Sequence, residues 1–176
     1  MARYRKTKKY IIRKRTKYSP NILDIGPDTI TFPSAGWFGT SITLATNPTQ
    51  SNLTTSSVTK VKNFEVAIDF TTGINNQLNV ENLQFYIMFV PEDMAVDTNY
   101  PLRHPEYILA YRYYGGPGIE NTSGPTFEKT FKVRTRMARN LNTGDKVILF
   151  IRGASTATSS IQIQYSGLVR WWSKSN

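Results

Sequence analysis

Nine Lys and Arg side chains crowd the first seventeen residues of the chain, with no Asp or Glu among them and with three tyrosines interleaved or adjacent. Lys and Arg neutralise phosphates, and aromatic rings give unpaired bases a surface to stack on. The pattern predicts a nucleic-acid-binding arm of low sequence selectivity, because flexible basic side chains contact phosphates rather than base edges. The residues predicted to bind are Arg3, Tyr4, Arg5, Lys6, Lys8, Lys9, Tyr10, Arg13, Lys14, Arg15 and Lys17.

The positive charge of the chain belongs almost entirely to this arm. The chain has 22 Lys and Arg against 12 Asp and Glu, so residues 18–176 keep 13 basic and all 12 acidic residues, a net charge of +1. A positive tail on a nearly neutral body indicates a polyanion as the target of the tail and a separate task for the body. Nuclear import receptors read basic runs of the same kind. The alternative, a solvated tail that only aids solubility, fits poorly with nine cations and no anion.

A second basic cluster follows further along the chain. The even spacing of Lys132, Arg134 and Arg136 puts all three on one face of a predicted strand. That face could touch nucleic acid or an acidic patch of a neighbouring chain, and we add Arg134 and Arg136 to the predicted nucleic-acid-binding residues. A strand face that is merely solvated is an equal alternative.

The candidates for catalysis and metal binding are weak. His104 is the single histidine and has Glu106 as its nearest acid, but its loop context favours an exposed or structural role. Glu92, Asp93 and Asp97 match no calcium-loop spacing. The chain has no cysteine, which excludes disulfides and thiolate ligands. We therefore predict a protein that is not an enzyme and that needs no cofactor and no metal.

Short β-type runs separated by turn-forming residues follow the arm, and no dozen residues show a helical period. They predict eight strands, at 29–32, 37–46, 60–72, 82–90, 107–114, 126–137, 145–152 and 160–172. Strands of this kind with long loops predict an all-β, two-sheet sandwich, of which the jelly roll is one member. We divide the chain into a basic arm, 1–19, and a β domain, 20–176.

Side-chain alternation assigns faces to several of these strands. Phe64, Val66, Ile68 and Phe70 should share one face, and residues 161–169 should alternate likewise. Residues 83–90 and 147–151 are nearly all apolar and should be covered on both sides. Residues 127–133 break the alternation, which predicts a bulge or a twist there.

Three long polar segments, 47–59, 92–106 and 115–125, should lie outside the sandwich as loops. If the protein assembles, its subunits must meet through surface of this kind, and two tryptophans near the chain end also need cover. The residues predicted to form a subunit interface are Met94, Val96, Tyr100, Leu102, Tyr107, Trp171 and Trp172.

Three runs resemble a known family, the capsid proteins of circular single-stranded DNA viruses that encode a replication protein, the circoviruses and their relatives. Residues 85–92, Phe-Tyr-Ile-Met-Phe-Val-Pro-Glu, resemble the strand-then-Pro-acid junction of these coats. Residues 103–108, Arg-His-Pro-Glu-Tyr-Ile, are similar to the His-Pro-Glu run that follows it. Residues 136–147 resemble the Ala-Arg-Asn-Leu-Asn-x-Gly-Asp stretch that joins two strands in many of them. The resemblance covers 82–172 by motif and 1–18 by composition.

The resemblance implies an eight-stranded jelly-roll coat protein. Sixty copies would close into the smallest icosahedral shell, the T=1 shell, with the arm facing inward on a single-stranded DNA genome, or on RNA in recombinant particles. It implies a place in the virion and, during assembly, in the host nucleus. Host and receptor stay open. Two alternatives also stay open: a non-capsid β-rich nucleic-acid-binding module, for which Tyr111, Tyr113 and Tyr114 are the aromatic candidates, and a jelly-roll lectin or hydrolase with an incidental basic tail.

Overall fold

Nine β-strands and two single helical turns form the described part of the computed structural model. The described residues are 17–47, 58–71, 80–119, 128–155 and 158–175. The helical turns are α1, Tyr100–Arg103, and a 3₁₀ turn, Pro105–Tyr107. The strands are β1 Ser19–Phe32, β2 Gly36–Thr46, β3 Thr59–Thr71, β4 Val80–Val90, β5 Ile108–Ile119, β6 Glu128–Arg134, β7 Ala138–Leu141, β8 Lys146–Ser155 and β9 Ile161–Ser175. The predicted all-β class is confirmed, and no helix among the described residues is long and apolar enough to cross a membrane.

The strands form two antiparallel sheets with the strand order of a jelly roll. The β1 sheet has the order β1-β9-β3-β6, and β7 also pairs with β3. The β2 sheet has the order β2-β8-β4-β5. Because β6 and β7 both lie along β3, they are two parts of one interrupted strand, which leaves eight positions in two four-stranded sheets. The predicted eight-stranded jelly-roll sandwich is confirmed in this form.

Large apolar side chains fill the space between the sheets. On β3, Phe64, Val66, Ile68 and Phe70 are all buried, as their spacing predicted. Phe131 of β6 packs its ring against that of Phe70, with the two centroids 5.5 Å apart. Each such buried side chain contributes about 1.5–3 kcal/mol to folding through apolar surface removed from water. The core therefore packs the two sheets against each other.

A second apolar layer covers the outer face of the β2 sheet. Met88 and Phe150 point away from the main core and are nevertheless buried, because the segment between β4 and β5 folds back over them. Tyr100 of α1 is fully buried in this layer. The expectation that 83–90 and 147–151 are covered on both sides is confirmed. The expectation that 92–106 is a pure surface loop is wrong, since part of it packs on the sheet.

The strand boundaries depart from the prediction where pairing, not sequence pattern, makes the strand. β1 begins at Ser19 rather than at Thr29, because its polar first half pairs with β9 along the whole register from Ser19 to Ile25. β5 runs through the Gly-rich 115–119, which was expected to be a loop. The rest of that segment, 120–127, and most of the polar 47–59, namely 48–57, lie outside the described residues.

The irregularity expected in β6 lies on its partner strand. Residues Glu128–Arg134 pair with β3 without a register shift, so of the two predicted irregularities, a bulge or a twist, the bulge is wrong for the described part of that run. Instead β3 is bulged between Lys62 and Glu65, with Asn63 at a positive φ of 55°. Thr135 follows β6 opposite this bulge, and its backbone N–H donates to the Phe64 carbonyl at 2.9 Å. The bulge explains why β6 and β7 are separate strands.

A buried carboxylate ties the β7–β8 turn to the end of β4. Asp145 accepts hydrogen bonds from two backbone N–H groups, that of Asn142 at 2.8 Å and that of Glu92 at 3.1 Å. Gly144, in the same turn, has a φ of 84°. A Cβ atom on Gly144 would lie 2.3 Å from the end of the exposed Glu92 side chain, which would have to move. The backbone conformation is therefore the main requirement for glycine here.

We expect Gly144→Val to lower the free energy of unfolding by about 1–2 kcal/mol, since a left-handed φ costs a side chain about that much and the exposed Glu92 side chain can move aside. Gly36→Val is the matched control, because Gly36 has a φ of 95° but no heavy atom within 4 Å of the added Cβ. Thermal unfolding of both variants measures the two effects. Equal losses would show that the Glu92 contact costs nothing, and an unchanged melting temperature for Gly144→Val would contradict the turn geometry.

Candidate nucleic-acid interface

The outer face of the β1 sheet carries charged side chains of both signs in cross-strand rows. One row joins Ile22, Arg170, Glu65 and Arg134 on four neighbouring strands. Arg170 and Glu65 form a salt bridge of 2.5 Å between Nη2 and Oε2. The next row joins Asp24, Leu168, Ala67 and Lys132. Most residues of these rows line an open groove of about 810 Å³, together with Tyr111 and Arg112 of β5, a size typical of ligand clefts.

We call this surface the basic face, and define it by six cations: Lys62, Lys132, Arg134, Arg136, Arg170 and Lys174. Asp24, Glu65 and Asp69 are the acids that strand alternation puts on the same side. Within the described ranges, Arg170 is the one cation of the six with a carboxylate at salt-bridge distance. The rest of the positive charge is thus available to an external polyanion.

The arm joins the body at this face. Tyr18, the residue before β1, lies under the Lys62 ammonium, with Nζ 3.8 Å from its ring centroid, and the Lys174 Nζ is 5.7 Å from the same ring. These are cation–π distances. The exposed Lys17 precedes it. The chain that leads into the arm is therefore attached at the edge of the basic face.

The β3 bulge opens a small cavity in the basic face. Its lining consists of Asn63, Glu65, Arg134, Thr135, Arg136 and Trp172, and its volume is about 150 Å³. The Trp172 ring is half-buried, and the Arg170 guanidinium carbon lies 5.3 Å from its centroid. The cavity thus combines an aromatic wall, a carboxylate, an amide and two cations.

The predicted nucleic-acid-binding residues divide into two groups. Those from Arg3 to Arg15 lie outside the described residues, and Lys17 is exposed at their boundary. Arg134 and Arg136 are both exposed and lie together on the basic face, with Lys132 as expected. Their assignment to nucleic acid stays a prediction.

Sequence reasoning missed the contribution of β3 and β9 to this surface. Lys62, Arg170 and Lys174 come from distant parts of the chain and meet through strand pairing. The available signal was the alternation of β9, whose outward positions include Leu168, Arg170 and Trp172. Only the strand order shows that these positions adjoin Arg134.

The outer face of the β2 sheet exposes a different cluster. Arg152 is buried, with its guanidinium carbon 3.8 Å from the Trp37 ring centroid and its Nε donating to the Thr98 carbonyl at 3.2 Å. Tyr111 and Tyr113 are 50 % and 47 % exposed on the same side. Burial raises the pKa of Tyr111, and a neighbouring phenol adds to the shift, so this ring stays neutral at physiological pH. The surface is aromatic but carries little accessible positive charge.

Tyr114, the third aromatic candidate of that strand, points elsewhere. Its hydroxyl donates to the Lys132 carbonyl and accepts from the Lys132 N–H, both at 3.0 Å. Its ring packs edge-on against Phe131 at 4.8 Å between centroids. Tyr114 therefore joins the edge of β6 to the core and offers no stacking platform beside Tyr111.

The predicted interface residues have three kinds of environment. Tyr100 is a correction: it is fully buried inside its own subunit and has no surface for a neighbour. Leu102 is 59 % exposed on the same helical turn. Trp171 stacks on Phe64, with centroids 6.0 Å apart, and so has a partner within the chain. The half-buried residues of the set are Met94, Val96, Tyr107 and Trp172.

His104 and Glu106 do meet, with Nδ1 3.2 Å from Oε1. The pKa of Glu106 is lowered, first by a backbone hydrogen bond and then by His104. The His104 ring stacks on Tyr107 at 5.6 Å and tilts against Tyr100 at 4.9 Å, which is a structural setting. Among the described residues, no group of three His, Cys, Asp or Glu could hold a metal ion.

The sequence matches no protein-family profile and no curated protein. Among solved structures, the chain is similar to a chain in the structure of the infectious bursal disease virus Gx strain (TM-score 0.38, 11 % identity, 98 % of this chain and 37 % of that one). It is similar to the infectious bursal disease virus VP2 subviral particle (TM-score 0.37, 10 % identity, 87 % and 33 %). It is also similar to the decameric BFDV capsid protein (TM-score 0.38, 10 % identity, 89 % and 98 %). The chain thus spans about a third of the two bursal disease virus chains and nearly all of the BFDV chain.

Proposed function

We propose that this chain is a viral coat protein that self-assembles into a closed shell and packages single-stranded DNA. The observation that carries the proposal is the junction of the arm with the basic face: Tyr18 lies against Lys62 and Lys174, on the side of the sheet that presents Arg134 and Arg136. One side of the body then presents both the cationic arm and the cationic surface of the sheet to the same nucleic-acid strand. Such a combination suits a polyanion that must be held without sequence selection.

A closed symmetric assembly of such chains would enclose a space that this positive charge lines. Copies related by closed point-group symmetry present the same face to the same side. With the basic face inward, sixty arms supply about 540 positive charges to the interior. A single-stranded DNA genome is the proposed cargo, RNA takes its place in recombinant particles, and the basic run of the arm also serves nuclear import before assembly. The proposed locations are therefore the virion and the host nucleus.

The surface left for contacts between copies is the segment over the β2 sheet. It is anchored from below by Tyr100 and presents Leu102 outward. Apolar residues at the centre of an interface are typical of obligate assemblies. We propose that Leu102, Met94, Val96 and Tyr107 contribute to the interface, whereas Trp172 lies on the basic face.

Electron microscopy and light scattering of the purified full-length chain test the proposal. We expect uniform particles of about 1.2 MDa, sixty times the 20.0 kDa of one chain, which protect nucleic acid from nuclease. A homogeneous monomer under all conditions would contradict the assembly. Empty particles with no affinity for nucleic acid would contradict the cargo.

The alternative of a non-capsid nucleic-acid-binding module has one observation in its favour, the exposure of Tyr111 and Tyr113 on the β2 sheet. Exposed aromatics on a sheet face are stacking platforms in single-strand-binding domains. The variant Tyr113→Ala separates the two functions, because Tyr113 is not among the residues that line the groove of the basic face. The coat proposal expects its nucleic-acid affinity to stay within about twofold of the wild type; a loss of binding would favour the alternative.

A further inference from the structure

The cavity at the β3 bulge has the composition of a site for one flat, polar, aromatic group. Trp172 gives it an aromatic wall, Glu65 a carboxylate and Asn63 an amide. Its volume of about 150 Å³ is well above the roughly 10–15 Å³ that a cavity needs to hold one water. It therefore has room for a small flat ring system.

We infer that this cavity holds one unstacked nucleobase of the packaged strand, with Trp172 as its stacking surface. The inference rests on the proposed function and names a subsite within it. Aromatic side chains bind bases of any sequence through their π-faces. Arg134 and Arg136, which line the same cavity, lie where they can contact the phosphates on either side of the base. The basic face thus takes both parts of a nucleotide.

The polar groups of the cavity suit the edges of bases. A carboxylate accepts hydrogen bonds from the exocyclic amine of cytosine, and an amide side chain can both donate and accept, as it does with adenine. Glu65 Oε2 accepts a hydrogen bond from the Arg170 guanidinium. A carboxylate has a second oxygen that can accept from another donor. The carboxylate suits cytosine and the amide suits adenine. The cavity therefore favours a strand with unpaired bases over a strand without bases, and it selects no particular sequence.

Two oligonucleotides with the same number of phosphates test this inference on the full-length protein. One is a thymidine homopolymer, and the other is an abasic strand of equal length. The wild type should bind the strand with bases about tenfold more tightly, from the stacking energy of a base on an aromatic ring. Trp172→Ala should remove most of that preference, and Trp172→Phe should restore part of it. The preference due to Trp172 should persist at high salt, whereas phosphate contacts weaken there.

Trp37→Ala is the matched control, because Trp37 is an exposed tryptophan on the opposite sheet. It should leave the preference for bases unchanged. Equal affinity of the wild type for the two strands, or a preference that survives in Trp172→Ala, would overturn the inference and leave the coat function intact. Failure of both strands to bind would instead overturn the nucleic-acid function itself. If Trp172→Ala does not fold, Trp172→Phe and the wild-type comparison decide the question.

Discussion

Deletion of residues 2–17 is expected to leave a folded body that no longer retains nucleic acid. The deletion removes nine cations. Each cation bound to a single strand contributes about 0.7 to the dependence of the logarithm of affinity on the logarithm of salt, so the full set contributes about 6. At that slope, raising salt from 50 to 200 mM weakens binding about 10³–10⁴-fold in the intact chain. The deletion variant should lose most of this sensitivity.

The body should survive the deletion because β1 begins at Ser19, beyond the removed residues. The strand spectrum in circular dichroism and the melting temperature test this directly, and the salt dependence of oligonucleotide binding tests the function. The matched control is a variant with the nine cations replaced by Gln at the same length, which should behave like the deletion. An unfolded deletion variant, or one with an unchanged salt slope, would contradict the role of the arm.

The second large effect is a contrast between two neighbouring positions on α1. Tyr100→Asp should unfold or aggregate the protein. Truncation of a large buried aromatic costs about 3–5 kcal/mol, and a buried carboxylate adds a penalty of its own, against a total stability of about 5–15 kcal/mol. Leu102→Asp should keep the wild-type melting temperature, because exposed positions change stability by about 0.5 kcal/mol or less. It should nevertheless abolish shells, since it puts a charge in the proposed interface.

Melting curves and light scattering on the two variants distinguish the outcomes, with Leu102→Asn as the uncharged control. Normal shells from Leu102→Asp would remove this segment from the interface. A normal melting temperature for Tyr100→Asp would contradict its buried position.

The buried state of Tyr100 has a second readout: burial raises its pKa from 10.0 to about 12. The folded state thus favours the neutral phenol, so its contribution to stability is complete below pH 10 and is lost as the pH rises toward 12.

Local side-chain pattern predicted the fold well wherever a strand is half-buried. The alternation around Phe64 on β3 and along β9 follows from the two faces of a sheet, which sequence records at every second position. The first half of β1 gave no such signal, because Ile22 is exposed at 67 % and the strand exists through its pairing with β9. Such strands depend on a partner far away in sequence, which no local window contains.

For the segment over the β2 sheet, the sequence predicted that a cover was needed but did not identify the residues that form it. The all-apolar run at 83–90 predicted that a second cover was needed. The segment between β4 and β5 forms this cover, and its Tyr100 is buried against the sheet. The bulge cavity was beyond prediction, because it joins Asn63 of β3 and Trp172 of β9 with Arg136 of the β6–β7 connection. Individual residues such as Arg134 could be named from sequence, but their neighbours could not.

The pairing of the first strand with the last has a consequence for the order of events during synthesis. In the β1 sheet, β9 lies between β1 and β3, so among the described strands β1 gains its sheet partner only when β9, which begins at Ile161, has been made. At about 5–20 residues per second, the ribosome needs roughly 6–26 s to reach Ile161 from the end of β1. A prematurely terminated chain lacks the strand that would join β1 to the rest of the sheet. The finished surface around Tyr18 therefore exists only on full-length chains, so truncated products present a cationic tail but no completed sheet beside it.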